Sequence, residues 1–469
     1  MDIKITEGID LTKLIAAISD EKKDVELINK YHYEFYELDR NQRETQIGKL
    51  QRDKVVKGKK VTAVRVPIAL ANKIVNTAVG FEFGEPVTLT PSIQNELSDQ
   101  VLLDWKNARI DDKLIKAKTK QKQETQAALL FYFKDLKPDS LINRIAGVNK
   151  NRSISAKVLD CVNSESFYPY FDETGDMKFF VHLFSSNEID DDFKLSKVNH
   201  CWIYDEENVH KIKKEGSKWN LTSSDKHGFS KIPVVYMSQP KPEHYLVKEA
   251  IDRLEVCISR LGASNDYSGH PILFIEGEIY GLPDKESDGK VMRTSVEINE
   301  DGKKTTGGDA KFLTHDNAPE SVKLEIEKLE GYIYHMTGTP NLSFEMLKGM
   351  GTVATRTLEF MLLDSNIKKL NNQGQNRTDV ERCINIIISG IITTSKASLK
   401  SQANNLVFDI EFGNILPNNF DELVDTVAKG VASGVISKET AIEMLGVTED
   451  FEEELKRINN INKQNNIIK

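Results

Sequence analysis

The apolar positions of this chain change period several times, and the changes mark its parts. Residues 10–50 read as helical and heavily charged, with an aromatic run, YHYEFYEL, at 31–38. A basic stretch at 51–60, QRDKVVKGKK, reads as a flexible loop. Helical spacing returns over 67–79, where Ile74, Val75, Ala78 and Val79 share a face. That helix runs into a stiff corner, Phe81-Glu82-Phe83-Gly84-Glu85-Pro86, and then into the β-prone Val87, Thr88 and Leu89. Phe81 and Phe83 are expected to pin the corner to the core, while Gly84 and Pro86 set the new chain direction. An ordinary helix–strand turn would bury the same aromatics. Helical patterns follow at 93–107 and 111–130.

Between Ser153 and Tyr236 the period shortens to two. AKVLDCV, MKFFVHLF, VNHCWIYD, NVHKIKK and KWNLT read as short strands, with turn signals at 173–176, 205–208 and 215–217. The expectation is an antiparallel meander with one wet face.

Residues 242–261 read as a helix with Leu246, Ala250, Leu254, Cys257, Ile258 and Leu261 on one apolar stripe. At ~1.5 Å per residue it spans about 30 Å. An insert rich in Gly, Pro and Asp, with the short strands PILFIEG and VMRTSVEI, occupies 265–317. Asn317-Ala318-Pro319-Glu320 then supplies a cap residue, a first-turn proline and a glutamate three residues on. The helix it opens carries the stripe Val322, Ile326, Leu329, Ile333 and Met336. Two such helices around a β insert read as a stalk with a small head.

TGTPNLSFEMLKGMG, at 337–351, has the glycines of a mobile loop. A very long helical stretch from Thr352 to about Ser395 follows, with Gly374 and Gly390 as expected bends. NLVFDIEF, at 405–412, is an isolated strand expected to return to the earlier sheet. In the tail, Asn419 and Glu422 form a capping box, Gly434 ends that helix, Ser437 starts another and Gly446 stops it.

Composition narrows what such a chain can do. Its 469 residues are 39% hydrophobic and 29% charged, the balance of a folded, water-facing protein. The longest apolar run, 384–392, contains Asn385, Ser389 and Gly390 and falls far short of the ~20 residues of a membrane span. The N-terminus lacks a basic start followed by an apolar core, so no secretory signal is expected and the cytoplasm is the expected compartment. Cys161, Cys201, Cys257 and Cys383 lie far apart without a CxxC, which predicts buried reduced thiols. A net charge of −9 argues against tight static binding to nucleic acid, but allows a surface that nucleic acid passes without sticking.

Candidate chemistry is sparse. Gly349-Met350-Gly351-Thr352-Val353-Ala354 matches GxGxxA in form. That fingerprint needs a preceding strand and a βαβ unit, and NLSFEML does not alternate, so a loop entering a helix is the plainer account. His200, Cys201 and His210 come nearest to a metal set, yet His200 and Cys201 point to opposite faces of a strand. No HExxH, GxSxG, Walker lysine loop or paired-carboxylate signature occurs. No catalytic, cofactor-binding or metal-binding residue is therefore assigned.

With these segments in order, the chain resembles the bacteriophage portal proteins of long-tailed phages, the large portal family typified in phages of Gram-positive hosts. Three stretches carry the likeness. NKIVNTAVGFEFGEPV, at 72–87, is similar to the family's helix running into an aromatic-x-x-Gly-x-Pro-Val corner, counted from Phe81. The helix–insert–helix of 242–338, then a loop and a very long helix, is similar to the family's stem, clip, stem, tunnel-loop order. The C-terminal strand ending in Pro, the helix after it, the turn Gly-Val-Ile-Ser-Lys-Glu-Thr-Ala and the acidic helix complete the likeness. One stretch departs: GMGTVATRTL stands where SGxAL is common.

The resemblance implies an α+β, elongated portal-type subunit. It would have an N-terminal helical region and α/β wing over 1–241, with antiparallel strands at about 153–236. Stem helices would occupy 242–264 and 318–338, a small β-containing clip 265–317, and a tunnel loop 339–352. A long kinked helix with a strand returning to the wing would fill 353–418, and a helical crown 419–469. The stem stripe would be Leu246, Leu254 and Ile258 with Val322, Ile326, Leu329 and Ile333.

The resemblance further implies a homo-oligomeric ring, a dodecamer, at one capsid vertex of the virion, assembled in the host cytoplasm. Double-stranded DNA would pass through it during packaging and ejection. The terminase large subunit would dock on the clip, and head-completion (adaptor) proteins would replace it. The wing would meet major capsid and scaffolding proteins, with no membrane involved. Leu347, Lys348, Gly349, Met350 and Gly351 would form the DNA-facing tunnel loop, with Gly338 letting it follow the duplex. Lys348 would be placed to touch phosphate, although an exposed loop lysine reads equally well. In a closed ring every charge repeats about the axis, so an acidic bore would repel phosphate. Two other readings stay open at this point: a scaffold or adaptor with a helical stalk, and a nucleotide-dependent enzyme built on 349–354.

Overall fold

In the computed structural model the first elements are helix α1 (Leu11–Ser19) and a hairpin of β1 (Lys54–Val56) and β2 (Lys59–Val61). The structure describes residues 11–19, 28, 31–32, 53–135, 152–159, 161, 165–189, 193, 195–268, 272–276, 279–280, 293–294, 296–298, 300–302, 304–307, 309–313, 319–341, 360–394, 397–413, 420–446 and 455–457. The hairpin stands where the basic stretch reads as a loop. Lys57 and Gly58, at φ 49° and 76°, make the left-handed pair that a two-residue turn needs. Asp53 ties the hairpin base, accepting from the Ala63 N–H at 2.9 Å and from Arg65 at 2.7 Å, and pairing with Lys60 at 2.9 Å. These contacts, the Ala63 hydrogen bond foremost, hold its carboxyl at about 2.

Helix α2 (Leu70–Phe83) buries Ile74, Val75, Ala78 and Val79 and, in its last turn, Phe81 and Phe83. Gly84 ends it in the right-handed region, φ −65°, donating to the Gly80 carbonyl at 2.8 Å. The glycine therefore meets no left-handed requirement, and Gly84 and Pro86 are both exposed. Beyond the corner, Val87 is buried and donates its N–H to Asp111 at 3.2 Å. Strand β3 (Thr88–Pro91) follows, then α3 (Glu96–Asn107), opened by a reciprocal cap between Asn95 and Ser98. Helix α4 (Ile110–Glu124) closes on a left-handed Thr125, φ 78°.

Here the fold departs from the helical spacing of 111–130, because Gln126–Asp135 is strand β4. It pairs on one edge with β5 (Arg152–Leu159). Five strands come next: β6 (Ser166–Phe171), β7 (Met177–Ile189), β8 (Leu195–Tyr204), β9 (Asn208–Glu215) and β10 (Lys218–Lys226). They form an antiparallel sheet in the order β10-β9-β8-β7-β6. Strand β11 (Val234–Ser238) returns to the free edge of β4. A middle strand buried on both faces has no alternation, so its AALLF run cannot be told from a helix by period alone. Ala127, Leu129 and Phe131 enter one core with α3 and α4, while Ala128 and Leu130 enter a second core. The five-stranded sheet correspondingly has no single wet face. Phe167, Phe180, Tyr204 and Val209 pack in that second core, and Val181, Cys201, Ile203 and Ile212 pack with Ile15 of α1. Strand β6 escapes the sequence pattern because it carries Pro169, tolerated on a sheet edge.

A 3₁₀ turn, Tyr245–Val247, leads into α5 (Lys248–Ser268). Three short two-stranded pairs follow: β12 (Ile272–Glu276) with β17 (Asp309–Leu313), β13 (Ile279–Tyr280) with β14 (Arg293–Thr294), and β15 (Val296–Ile298) with β16 (Lys304–Gly307). Helix α6 (Pro319–Thr337) comes next. Helix α7 (Leu363–Thr394) then runs unbroken for 32 residues, about 48 Å, through both Gly374 and Gly390. At Gly390 a Cβ would lie 2.8 Å from the Phe229 ring, so close packing accounts for that glycine rather than a bend. After α8 (Ala397–Gln402), strand β18 (Phe408–Glu411) pairs with β3 as a separate two-stranded sheet and does not rejoin the meander.

By compactness the chain divides into two units, residues 1–341 with 364–413 and residues 342–363 with 414–469. In the second, α9 (Phe420–Ala432) and α10 (Lys438–Leu445) are joined by a turn at Gly434, φ 71°. Ser437 caps α10, accepting from the Thr440 N–H at 3.1 Å, and Gly446, φ 58°, follows it. The expected Asn419 cap lies outside the described residues.

Candidate functional site

Helices α5 and α6 pack along Leu254, Ile258, Ile326, Leu329 and Ile333, and the same cluster takes in Val247, Ile251 and, from α2, Leu70 and Ile74. Leu246 does not join them. It lies in the 3₁₀ turn before α5 and is 74% exposed, and Val247 takes the buried position, because the helix begins six residues later than its apolar spacing suggests. Val322, in the first turn of α6, is half-buried. The chain entering α2 is fastened to α5 by two buried polar side chains. Ser259 accepts from the Val66 N–H at 2.9 Å, and Glu255 from the Ile68 N–H at 3.0 Å.

Where these helices meet α4 and α7 lies a buried chain of charge. Glu82, between the two aromatics of the corner, is 4% exposed and pairs with Lys122 of α4 at 2.8 Å. Lys122 reaches Glu243 at 3.3 Å, and Glu243 pairs with Lys368 of α7. Lys368 donates to the carbonyl of Thr337, the last residue of α6, at 2.7 Å, where a helix end favours a cation. Asn372 and Asn376 donate to the two Glu82 oxygens at 2.7 and 3.1 Å. Alongside, Lys118 pairs with Asp379 at 2.6 Å and donates to Gln121 at 3.0 Å.

Burial by itself would lower the Lys122 amine, but the Glu82 and Glu243 carboxylates overcome it and the net shift is upward. Burial likewise works to raise Glu243, and Lys122 and Lys368 pull it below its ordinary value. Lys122 thus stabilises the fold below 10.5 and loses that contribution as pH rises through its higher folded value. Glu243 stabilises it above 4.5 and loses that contribution as pH falls through its lower folded value. Lys122 and Glu243 are therefore both charged across the neutral range. Such a network adds little net stability over an apolar core of the same shape.

The junction also sets the ends of the long excursion between α6 and α7. Gly338, φ 60°, follows α6 so closely packed that a Cβ there would lie 3.5 Å from the Asp364 carbonyl oxygen, and Ser365 donates to the Gly338 carbonyl at 2.6 Å. The chain therefore departs and returns at one anchored point. Leu347, Lys348, Gly349, Met350 and Gly351 lie outside the described residues, as does the GxGxxA match at 349–354.

The remaining sequence candidates are dispersed. Cys201 is buried with Val181 and Ile203, and desolvation pushes its thiol up to about 12. His200 faces the other side, stacked on Phe184 and bonded to Ser186 at 2.8 Å. All four cysteines are buried free thiols. Among the described residues no group of three His, Cys, Asp or Glu is placed to hold a metal, and no helix is long and apolar enough to cross a membrane. Sequence reasoning missed the junction entirely. Its one readable trace is the row Ser365, Lys368, Asn372, Asn376 and Asp379 at helical spacing, which reads as a wet face.

The model of the family described as phage portal protein, SPP1 Gp6-like, matches residues 12–467. No curated protein matches the chain.

Proposed function

We propose the following division of labour from the premise that this chain belongs to the phage portal protein family, SPP1 Gp6-like. The family is structural rather than enzymatic, and membership makes the chain part of a bacteriophage head–tail connector ring that serves DNA packaging. In our reading α5 and α6 are the stem, the short strand pairs between them the clip, and the excursion between α6 and α7 the tunnel loop. The stem stripe Leu254, Ile258, Ile326, Leu329 and Ile333, with the half-buried Val322 at its end, holds the two stem helices together. The corner at Phe81, Phe83, Gly84 and Pro86 carries the chain from stem-side packing to the wing. Leu347 to Gly351 face the duplex, and Lys348 touches phosphate.

The partners follow the same reading. The terminase large subunit docks on the clip, head-completion proteins succeed it, and major capsid and scaffolding proteins meet the wing. Twelve copies close the ring, which is put together in the host cytoplasm before it occupies the capsid vertex. The observation that supports this best is the excursion anchored at both ends on the buried junction. A loop meant to track a moving helix must be held firmly at its base. Negative-stain or cryo-electron images of the purified full chain test the assembly. Annular particles with an axial hole and twelvefold averages are the expected outcome. Monomers or elongated dimers at high concentration would defeat it.

A further inference from the structure

Strands β7 and β8 outrun the sheet that contains them. Strand β6 pairs with β7 only as far as Leu183, and β9 pairs with β8 only as far as His200. Beyond those points residues 185–189 and 195–199 pair with each other alone, a two-stranded ribbon of about 17 Å. Such a ribbon is marginal in water by itself. Its base is braced, since Ser185 donates to Asn199 at 2.7 Å and Lys213 holds Glu188 at 2.7 Å. Its far end is apolar instead: Ile189 is 67% exposed, Leu195 73% and Phe193 91%. Phe193 also stands at φ 60°, where a turn facing only water would take Gly, Asn or Asp.

The charge at this end is one-sided. Asp190, Asp191 and Asp192 follow Ile189 in the sequence, against the single Lys194. An apolar tip carrying three carboxylates fits a surface that is both apolar and basic. The β1–β2 hairpin, which the proposed function leaves without a role, is such a surface. Val55 is 74% exposed there, Lys57 and Lys59 are exposed with it, and residues 52–60 hold five cations against Asp53 alone. Phosphate would be met by the cations and gives no reason for an exposed valine among them. Copies of a chain of charge −9 repel in general, so a contact between them gains from opposite charges placed face to face.

We propose that the β7–β8 tip of one copy docks on the β1–β2 hairpin of a neighbouring copy. Ile189 and Phe193 meet Val55, and the aspartates meet Lys57 and Lys59. Both surfaces lie open within one chain, so their union takes two copies. Two different surfaces meet, which is the head-to-tail contact that closes a ring. The inference rests on the ring assembly and adds which surfaces join.

The test uses the full chain with Val55→Cys and Phe193→Cys together, beside each single variant. The four native thiols are buried, so mild oxidation reports on the introduced pair. Rings of the double variant should give a ladder of covalent multimers on non-reducing gels, at least tenfold stronger than either single variant. Rings without the ladder overturn the contact and leave the ribbon to another protein. A ladder from Phe193→Cys alone overturns it too, because like would then meet like. A charge swap supplies the second measurement. Lys57→Glu with Lys59→Glu should cut the ring fraction in sedimentation velocity at least tenfold, and adding Asp191→Lys with Asp192→Lys should restore it. A swap that restores nothing overturns the pairing. So does a Lys57→Glu, Lys59→Glu chain that forms rings like the parent but loses duplex binding, which would give the hairpin to nucleic acid. A parent chain that never forms rings sinks the ring itself and this inference with it.

Discussion

Glu82 is the residue on which most of the junction converges. It sits in the last turn of α2, and Lys122, Asn372 and Asn376 all end on its carboxylate. Glu82→Ala leaves the buried Asn376 amide and the half-buried Asn372 amide without that acceptor, and Lys122 with a single, longer ion pair. Breaking a buried pair on one side costs about 3–5 kcal/mol, far above the cost of losing a surface contact. Urea melts of the parent and variant at neutral pH should differ by that amount, and a loss under ~1 kcal/mol would show the carboxylate to be solvated. Glu82→Gln, which keeps one carbonyl acceptor for an asparagine amide, should lose less. None of this was legible from the chain alone. A glutamate between two aromatics reads as the polar member of a turn, and Lys118 and Lys122 read as the wet face of their helix. The sequence shows that a residue is charged, but not that its partner lies 261 positions away, as Asp379 does from Lys118.

Legibility at the scale of elements followed a physical rule. Where one side of an element is dry and the other wet, the period exposed it. The stripe of α5 and α6, Leu254, Ile258, Ile326, Leu329 and Ile333, is such a case. Where both sides are dry the period vanished, as in β4, and where a helix start depends on a preceding turn the boundary slipped, as at Leu246. In the proposed reading, the excursion between α6 and α7 is the element with the most direct bearing on function. Its base is fixed by Ser365 and Lys368, so changes near residues 347–350 should leave the junction and ring assembly intact. Lys348→Glu, or deletion of Leu347 to Met350, is expected to cut DNA packaged per particle at least tenfold while rings of normal size still form. Full packaging by such particles would remove this segment from the DNA path.

The whole molecule carries a charge of −9, and a ring multiplies that charge without multiplying the places where phosphate can bind. Conduction needs walls that the duplex passes, and a conduit that neutralised many phosphates would hold its cargo instead. Each phosphate neutralised by a cation releases counterions, so gripping shows as a steep loss of affinity with salt. Purified rings should therefore bind linear duplex no more tightly than about 100 µM at physiological salt, the weak end of non-specific binding. The slope of log K against log salt should be shallow, and shallower still in Lys348→Glu rings, because that substitution removes the one cation we place at the loop tip. Filter binding or anisotropy across a salt series measures both quantities. Nanomolar affinity with a steep slope would mean that basic residues elsewhere line the bore, and DNA would then have to be driven past a holding surface rather than slide along a repelling one.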